Sequence, residues 1–277
     1  MKKLLWIIPI VLLFSCNYSN SDVLNFKVEY KPDCVYKQTM TDKTQTETKY
    51  DATPEVLQTL KDKGIQNPSK LNNNISVLIT LKTGKLGPQN IYPFTMNYIK
   101  TESKDGKKEI PDNTFFYGTD TLGRVPMIDS VSPLPDMTAD AKKKLVSAVQ
   151  DMLQESCGPE KKLKVGEQFT REAPMNVDMG FTKLRMTVTS TYSLKNIANN
   201  VATFEITQVY ALNSTIKNHT FKADGVGKGN IVYDISDNYY KDYAINMTLN
   251  MSMDNGGIFA NIKTDSNIDI QTSLVQN

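Results

Sequence analysis

The stretch Gly225-Val226-Gly227-Lys228-Gly229 has the makings of a phosphate cradle, because close glycines let backbone amides approach an anion and a lysine can reach its charge. The spacing argues against it. A P-loop needs four residues between its outer glycines and a hydroxyl residue straight after the lysine, whereas Gly229 and Asn230 follow Lys228. The glycines instead predict a bulge or tight bend before a strand over Ile231 to Ile235. His219 is the only histidine of the sequence, which excludes histidine-cluster metal sites and leaves any histidine triad one centre. Ser214 and Asp224 are near it in sequence, but no Gly-x-Ser-x-Gly elbow occurs to activate a serine. The pairs Asp234 with Asp237 and Asp265 with Asp269 sit among Asn, Ser and Tyr, surroundings of solvated strand ends and not of a tuned acid and base. No catalytic residue, metal ligand or cofactor is assigned, and the chain is read as non-enzymatic.

Methionine carries a different chemistry. Met247, Leu249, Met251 and Met253 fall on one face of a single strand, and Met186, with Met175 and Met179, can join them. Thioether side chains conform to irregular apolar shapes, so this face reads either as core filling or as one wall of a site for an apolar ligand.

The first residues concern location. Lys2 and Lys3 precede an uncharged run from Leu4 to Phe14, far short of the roughly 20 apolar residues that span a bilayer. The run reads as an export signal, residues 1–15, followed by a polar tether, residues 16–22. Leu13-Phe14-Ser15-Cys16 resembles the lipobox of bacterial lipoproteins, which implies acylation of Cys16 and attachment to a membrane through the N-terminal lipid. Asn17-Tyr18-Ser19-Asn20 lacks the acidic residues that often follow the cysteine in surface-exposed lipoproteins of the Bacteroidota, so the expectation is an outer-membrane anchor facing the periplasm.

Removing residues 1–15 takes away two lysines and leaves 30 basic against 30 acidic groups. A balanced domain gives no case for nucleic acid, which calls for clustered positive charge. Cys34 and Cys157 then remain, and an exported pair reads either as a disulfide or as two buried thiols.

The elements that must position these groups are mostly strands. Alternation predicts them over Val23 to Lys31, Cys34 to Tyr50, Ile75 to Lys82, Ile91 to Lys100 and Asn113 to Gly118. Later come Leu184 to Lys195, Val201 to Leu212 with Gln208 interrupting its apolar face, Gly229 to Ile235, Tyr243 to Met253 and Ile258 to Val275. The turns Asn199-Asn200 and Asp254-Asn255-Gly256-Gly257 mark hairpins. One helix starts after Thr53 with Pro54 first and an apolar face of Val56, Leu57 and Leu60. A longer one is capped by Thr138 and carries Leu145, Val149, Met152 and Leu153. Residues 119–137, punctuated by Pro126, Pro133 and Pro135, read as a linker or lid between an N-terminal part, 23–118, and a C-terminal part, 138–277, of what is expected to be one domain. Within that linker, Asp120-Thr121-Leu122 and Asp129-Ser130-Val131 match a short O-glycosylation pattern at Thr121 and Ser130.

Consecutive strands with tight turns imply an antiparallel meander, and two helices are too few to cover a flat sheet of about ten strands. The expected fold is therefore mainly β (α+β), a strongly curved half-barrel or open barrel with two amphipathic helices. The stretch from Lys161 to Phe204, with Leu163-Lys164-Val165-Gly166 leading into a hairpin, resembles an uncharacterised family of Bacteroidota lipoproteins, a domain of unknown function. The architecture is also similar to that of half-barrel lipoprotein carriers of bacterial envelopes. These likenesses imply either an anchored protein that holds a hydrophobic small ligand or a structural subunit that contacts another envelope protein.

Overall fold

The computed structural model describes residues 23–103, 110–157, 160–178, 183–216, 219–254 and 257–276. The chain forms β1 (Val23–Phe26), β2 (Cys34–Asp51), α1 (Pro54–Asp62), β3 (Ser69–Thr83), β4 (Ile91–Ser103), β5 (Thr114–Thr121), β6 (Met127–Ser132), α2 (Ala139–Ser156), β7 (Lys161–Lys164), β8 (Gln168–Asp178), β9 (Lys183–Ala198), β10 (Val201–Ile216), β11 (His219–Asp234), β12 (Tyr239–Asp254) and β13 (Phe259–Gln276). Eleven strands make one antiparallel sheet in the order β6-β5-β4-β3-β2-β13-β12-β11-β10-β9-β8, while β1 and β7 pair apart from it as a two-stranded ribbon. The sheet does not close, because β6 and β8 remain its two edges.

Two meanders meet at the pairing of β2 with β13, which runs from Cys34 opposite Gln276 to Asp51 opposite Phe259 and makes the halves one sheet. Hairpin chemistry sets the connection of β9 to β10. Asn199 and Asn200 both adopt positive φ, 50° and 63°, as a two-residue turn matched to strand twist requires. Curvature is built in by glycine. A Cβ on Gly229 would stand 2.0 Å from the Ala244 carbonyl oxygen, and one on Gly225 would stand 2.6 Å from that of Thr248, so β12 folds in over the inner face of β11. The Gly-rich stretch is thus a place of close strand approach and not a bulge or a bend before a strand, since it pairs with β10 and β12 without a register shift. It also lies inside a strand that starts ten residues before the expected Gly229.

The concave face is filled at one end by what lies on it. The ribbon contributes Leu24, Phe26 and Leu163 to a cluster with Leu194, Phe204, Ile206, Ile231, Tyr233 and Ile245. Helix α2 lays Val149 and Leu153 against Tyr36, Ile79, Leu81, Phe94, Met96 and Phe116. Its N-terminus is capped, the Thr138 hydroxyl accepting from the Ala141 amide at 3.2 Å.

Three further expectations need correction. Residues 119–137 are not a linker. The six residues between the proline-marked ends pair with β5 as an edge strand, β6, where prolines at the ends cost no ladder bond. Gln150 of α2 clamps that strand, accepting from Ile128 N at 2.8 Å and donating to Pro126 O at 2.9 Å. Helix α1 buries no residue, leaving Val56, Leu57 and Leu60 half-buried, and the Thr53 side chain makes no capping bond. The Cys34–Cys157 bridge is not formed. Both thiols are buried and free, and they belong to different core clusters.

Candidate functional site

Cross-strand register divides the inner face into rows. The row Ser190, Gln208, Gly227, Met247, Ser266, Thr44 and Asn73 crosses from β9 to β3 and is largely polar. Gln208, which breaks the apolar pattern of β10, donates to Ser190 Oγ at 3.0 Å and accepts from the Tyr210 hydroxyl. On the other side, Ser266 and Thr44 both donate to Asp42 Oδ1, at 2.6 and 2.8 Å. A half-buried amide with both partners made costs little, so the row is a satisfied belt and not a defect.

Beyond this belt the two sides of the trough differ. On β8 to β12, Met186, Val188, Tyr210, Ala223 and Leu249 form a third buried cluster, with Met175, Leu212, Met247 and Met251 half-buried against it. On β13 and β2 the same face carries hydroxyls, Thr264 and Thr46 lying 3.2 Å apart. Next to Thr46 in register is Leu71 of β3, which is 67 % exposed. Every member of the third cluster comes from β8 to β12, so neither the ribbon nor α2 supplies a residue to it.

The structure therefore brings Met186, Met247, Leu249 and Met251 together, as the sequence pattern anticipated. Met253 lies just outside, lining a hollow of about 10 Å3 with Met251, Leu212, Phe221, Ala223 and Ile262. That volume is near the minimum for a single water, so this surface is packed by its own side chains. Met175 sits opposite Met186 in register, on a strand the sequence pattern missed.

The remaining candidate residues are structural or lie apart. Asp234 Oδ1 accepts from Ser236 N, Ser236 Oγ and Asp237 N, a turn-closing role, and Asp237 pairs with Lys31 at 2.9 Å. Asp265 accepts from the Thr248 hydroxyl at 2.6 Å and pairs with Lys263 at 3.0 Å; these bonds hold its carboxyl below the usual carboxylate range. Ser130 is exposed on β6, and Thr121 is half-buried at the end of β5. Burial pushes the Cys157 thiol up to about 12 and raises that of Cys34. Cys16 and Met179 lie outside the described residues, as do the side chains of Ser214 and His219.

One buried acid was not anticipated. Asp120, near the end of β5 and opposite Tyr92 of β4, is 1 % exposed, accepting from the Tyr92 hydroxyl at 3.1 Å and the Thr121 amide at 2.7 Å. Desolvation pushes its carboxyl up to about 6, against the lowering effect of those two bonds. Its only sequence signal was its place in the three-residue pattern with Thr121. Among the described residues no three His, Cys, Asp or Glu gather as a metal site.

No family model matches the chain, and no curated protein does. Among solved structures, one described as lipid–protein interactions in lipovitellin is 12% identical, with a TM-score of 0.46, over 90% of this chain and 26% of that one. The secretin XcpQ of the type II secretion system of Pseudomonas aeruginosa is 8% identical, with a TM-score of 0.14, over 88% of this chain and 58% of that one. The chain thus spans about a quarter of the first structure and under two thirds of the second, and at these scores neither assigns a relationship.

Proposed function

We propose that the chain is a non-enzymatic protein of the bacterial cell envelope, anchored by acyl groups on Cys16, whose inner face takes up the apolar part of an amphiphile. One observation carries the binding half: the Met- and Leu-rich cluster is assembled by β8 to β12 alone, beside a row of hydroxyls and across the trough from an exposed Leu71. Methionines can move aside for a chain at small cost, and the neighbouring Thr and Asp side chains suit a polar head. The anchoring half is supported by Leu13-Phe14-Ser15-Cys16, seven residues before β1 begins at Val23. Two or more acyl chains hold a protein at a bilayer stably, each methylene adding about 0.8 kcal/mol. The polar residues after Cys16 favour the periplasmic side of the outer membrane, in keeping with the resemblance to uncharacterised Bacteroidota lipoproteins.

Two measurements test this. Replacing Cys16 by serine moves the protein from the membrane to the soluble fraction of fractionated cells; retention in the membrane contradicts the anchor. The soluble protein then binds a fluorescent fatty-acid analogue saturably, and Ala223→Phe, which fills the cluster, weakens that binding. Equal emission with and without protein contradicts the ligand.

A second reading, an assembly subunit of an envelope complex, is favoured by the outer edge of β8, the sheet edge that α2 does not clamp, which leaves backbone groups for a partner strand. Crosslinking in cells that traps one dominant envelope protein through β8 supports this reading over the first.

A further inference from the structure

On the face turned away from the core, a groove of about 790 Å3 crosses β3, β2, β13, β12 and β11 at a single level. Side chains alternate along a strand, so the residues flanking each core-facing position project from the opposite face. Register assembles them into two rows. One row runs Asn74, Lys43, Asn267, Asn246 and Lys228. The other runs Asn72, Gln45, Asp265, Thr248 and Val226. The rows stand roughly 7 Å apart and each is roughly 19 Å long, from two residue rises and four strand spacings.

Their composition breaks a local rule. Asparagine is disfavoured in strands, yet Asn72, Asn73 and Asn74 follow one another inside β3, with Asn72 and Asn74 exposed and in no turn. Residues that defy local preference without a packing reward mark functional surfaces. The side chains are also pre-arranged. Asn267 donates to Asn246 Oδ1 and Thr248 to Asp265 Oδ1, each at 2.6 Å, and Lys263 already neutralises Asp265.

We propose that this groove binds an extended, hydroxyl-rich glycan lying across the strands. Carboxamides both donate and accept, as sugar hydroxyls do, and Val226 offers a contact for a ring's C–H face. The strand spacing of about 4.8 Å is close to one sugar ring per strand. The volume falls in the roughly 300–1,000 Å3 range of ligand sites. A peptide is a poorer match, since extended peptides pair with a free sheet edge and these five strands are all paired on both sides. Nucleic acid is poorer still, with two lysines in the groove and one aspartate among them. The proposal stands apart from the anchor and from the inner face.

Calorimetric titration of the full chain carrying Cys16→Ser with tetrasaccharides of N-acetylglucosamine, cellulose and starch tests it. At least one binds with a Kd of about 1 mM or tighter. The Asn246→Ala, Asn267→Ala double variant and, on the other row, Gln45→Ala each weaken that binding about tenfold with an unchanged Tm, while Met251→Ala on the inner face leaves it intact. Absence of saturable heat with all three sugars overturns the proposal, as does full affinity in both groove variants.

Discussion

Gly229 lies so close beneath Ala244 that the Ala244 carbonyl oxygen would be 2.0 Å from any Cβ added to the glycine. This approach bends β12 over β11 and gives the sheet its trough. Gly229→Ala is expected to cost about 3 kcal/mol or more, because the obstacle is backbone. Gly227→Ala meets only Ile245 Cδ1 at 3.1 Å and the Gln208 side chain at 3.3 Å, and should cost about 1 kcal/mol or less. Urea unfolding of the two variants checks the ranking, and equal losses would contradict the bend.

Asp120 makes stability depend on pH with an unusual sign. Its folded carboxyl is pushed up to about 6 from an ordinary value near 3.8, so its stabilising contribution is complete below about pH 4 and is lost as pH rises through 6. Tyr92 and Thr121 face it with hydrogen bonds, and Glu29 adds a like charge. Asp120→Asn keeps an acceptor oxygen and removes the charge. Its Tm should exceed that of the parent at pH 7 and converge with it toward pH 4; a constant difference across that range would show that Asp120 does not titrate as described.

Cys34 and Cys157 should both be unreactive in the native protein, since burial holds them as thiols. Thiol titration of the Cys16→Ser chain in denaturant without reductant should then find both. Finding neither would restore the bridge.

What the sequence discloses about this fold follows from which signals are local. Alternation placed β9, β10, β12 and β13 to within a few residues, because each buries one face and each is bounded by turn residues. It started β3 at Ile75, not Ser69, since three asparagines carry no strand signal, and it started β11 at Gly229, not His219, since glycines carry none either. The omission had consequences: those silent stretches hold the sheet's bend and its polar groove. The pairings of β2 with β13 and of β1 with β7 join residues more than a hundred positions apart, which periodicity cannot register. Of the candidate site, the methionine face of β12 and its neighbours Met175 and Met186 were legible and its partners Tyr210 and Leu212 were not, because their proximity depends on how β8 to β11 curl.

Helix α2 secures an edge of the sheet through one side chain. Gln150→Ala removes the bonds to Pro126 and Ile128 together and should cost about 2 kcal/mol, leaving the Ile128 amide without its partner. Hydrogen exchange should localise the loss to β6, and a uniform loss across all strands would contradict the clamp.

Native mass spectrometry of the Cys16→Ser chain purified from the soluble fraction of the cells that express it tests the central claim most directly. The account predicts a species heavier by one amphiphile, released by organic extraction and absent from Ala223→Phe. Only the bare chain mass, under conditions that keep a known lipid-binding protein loaded, would contradict it.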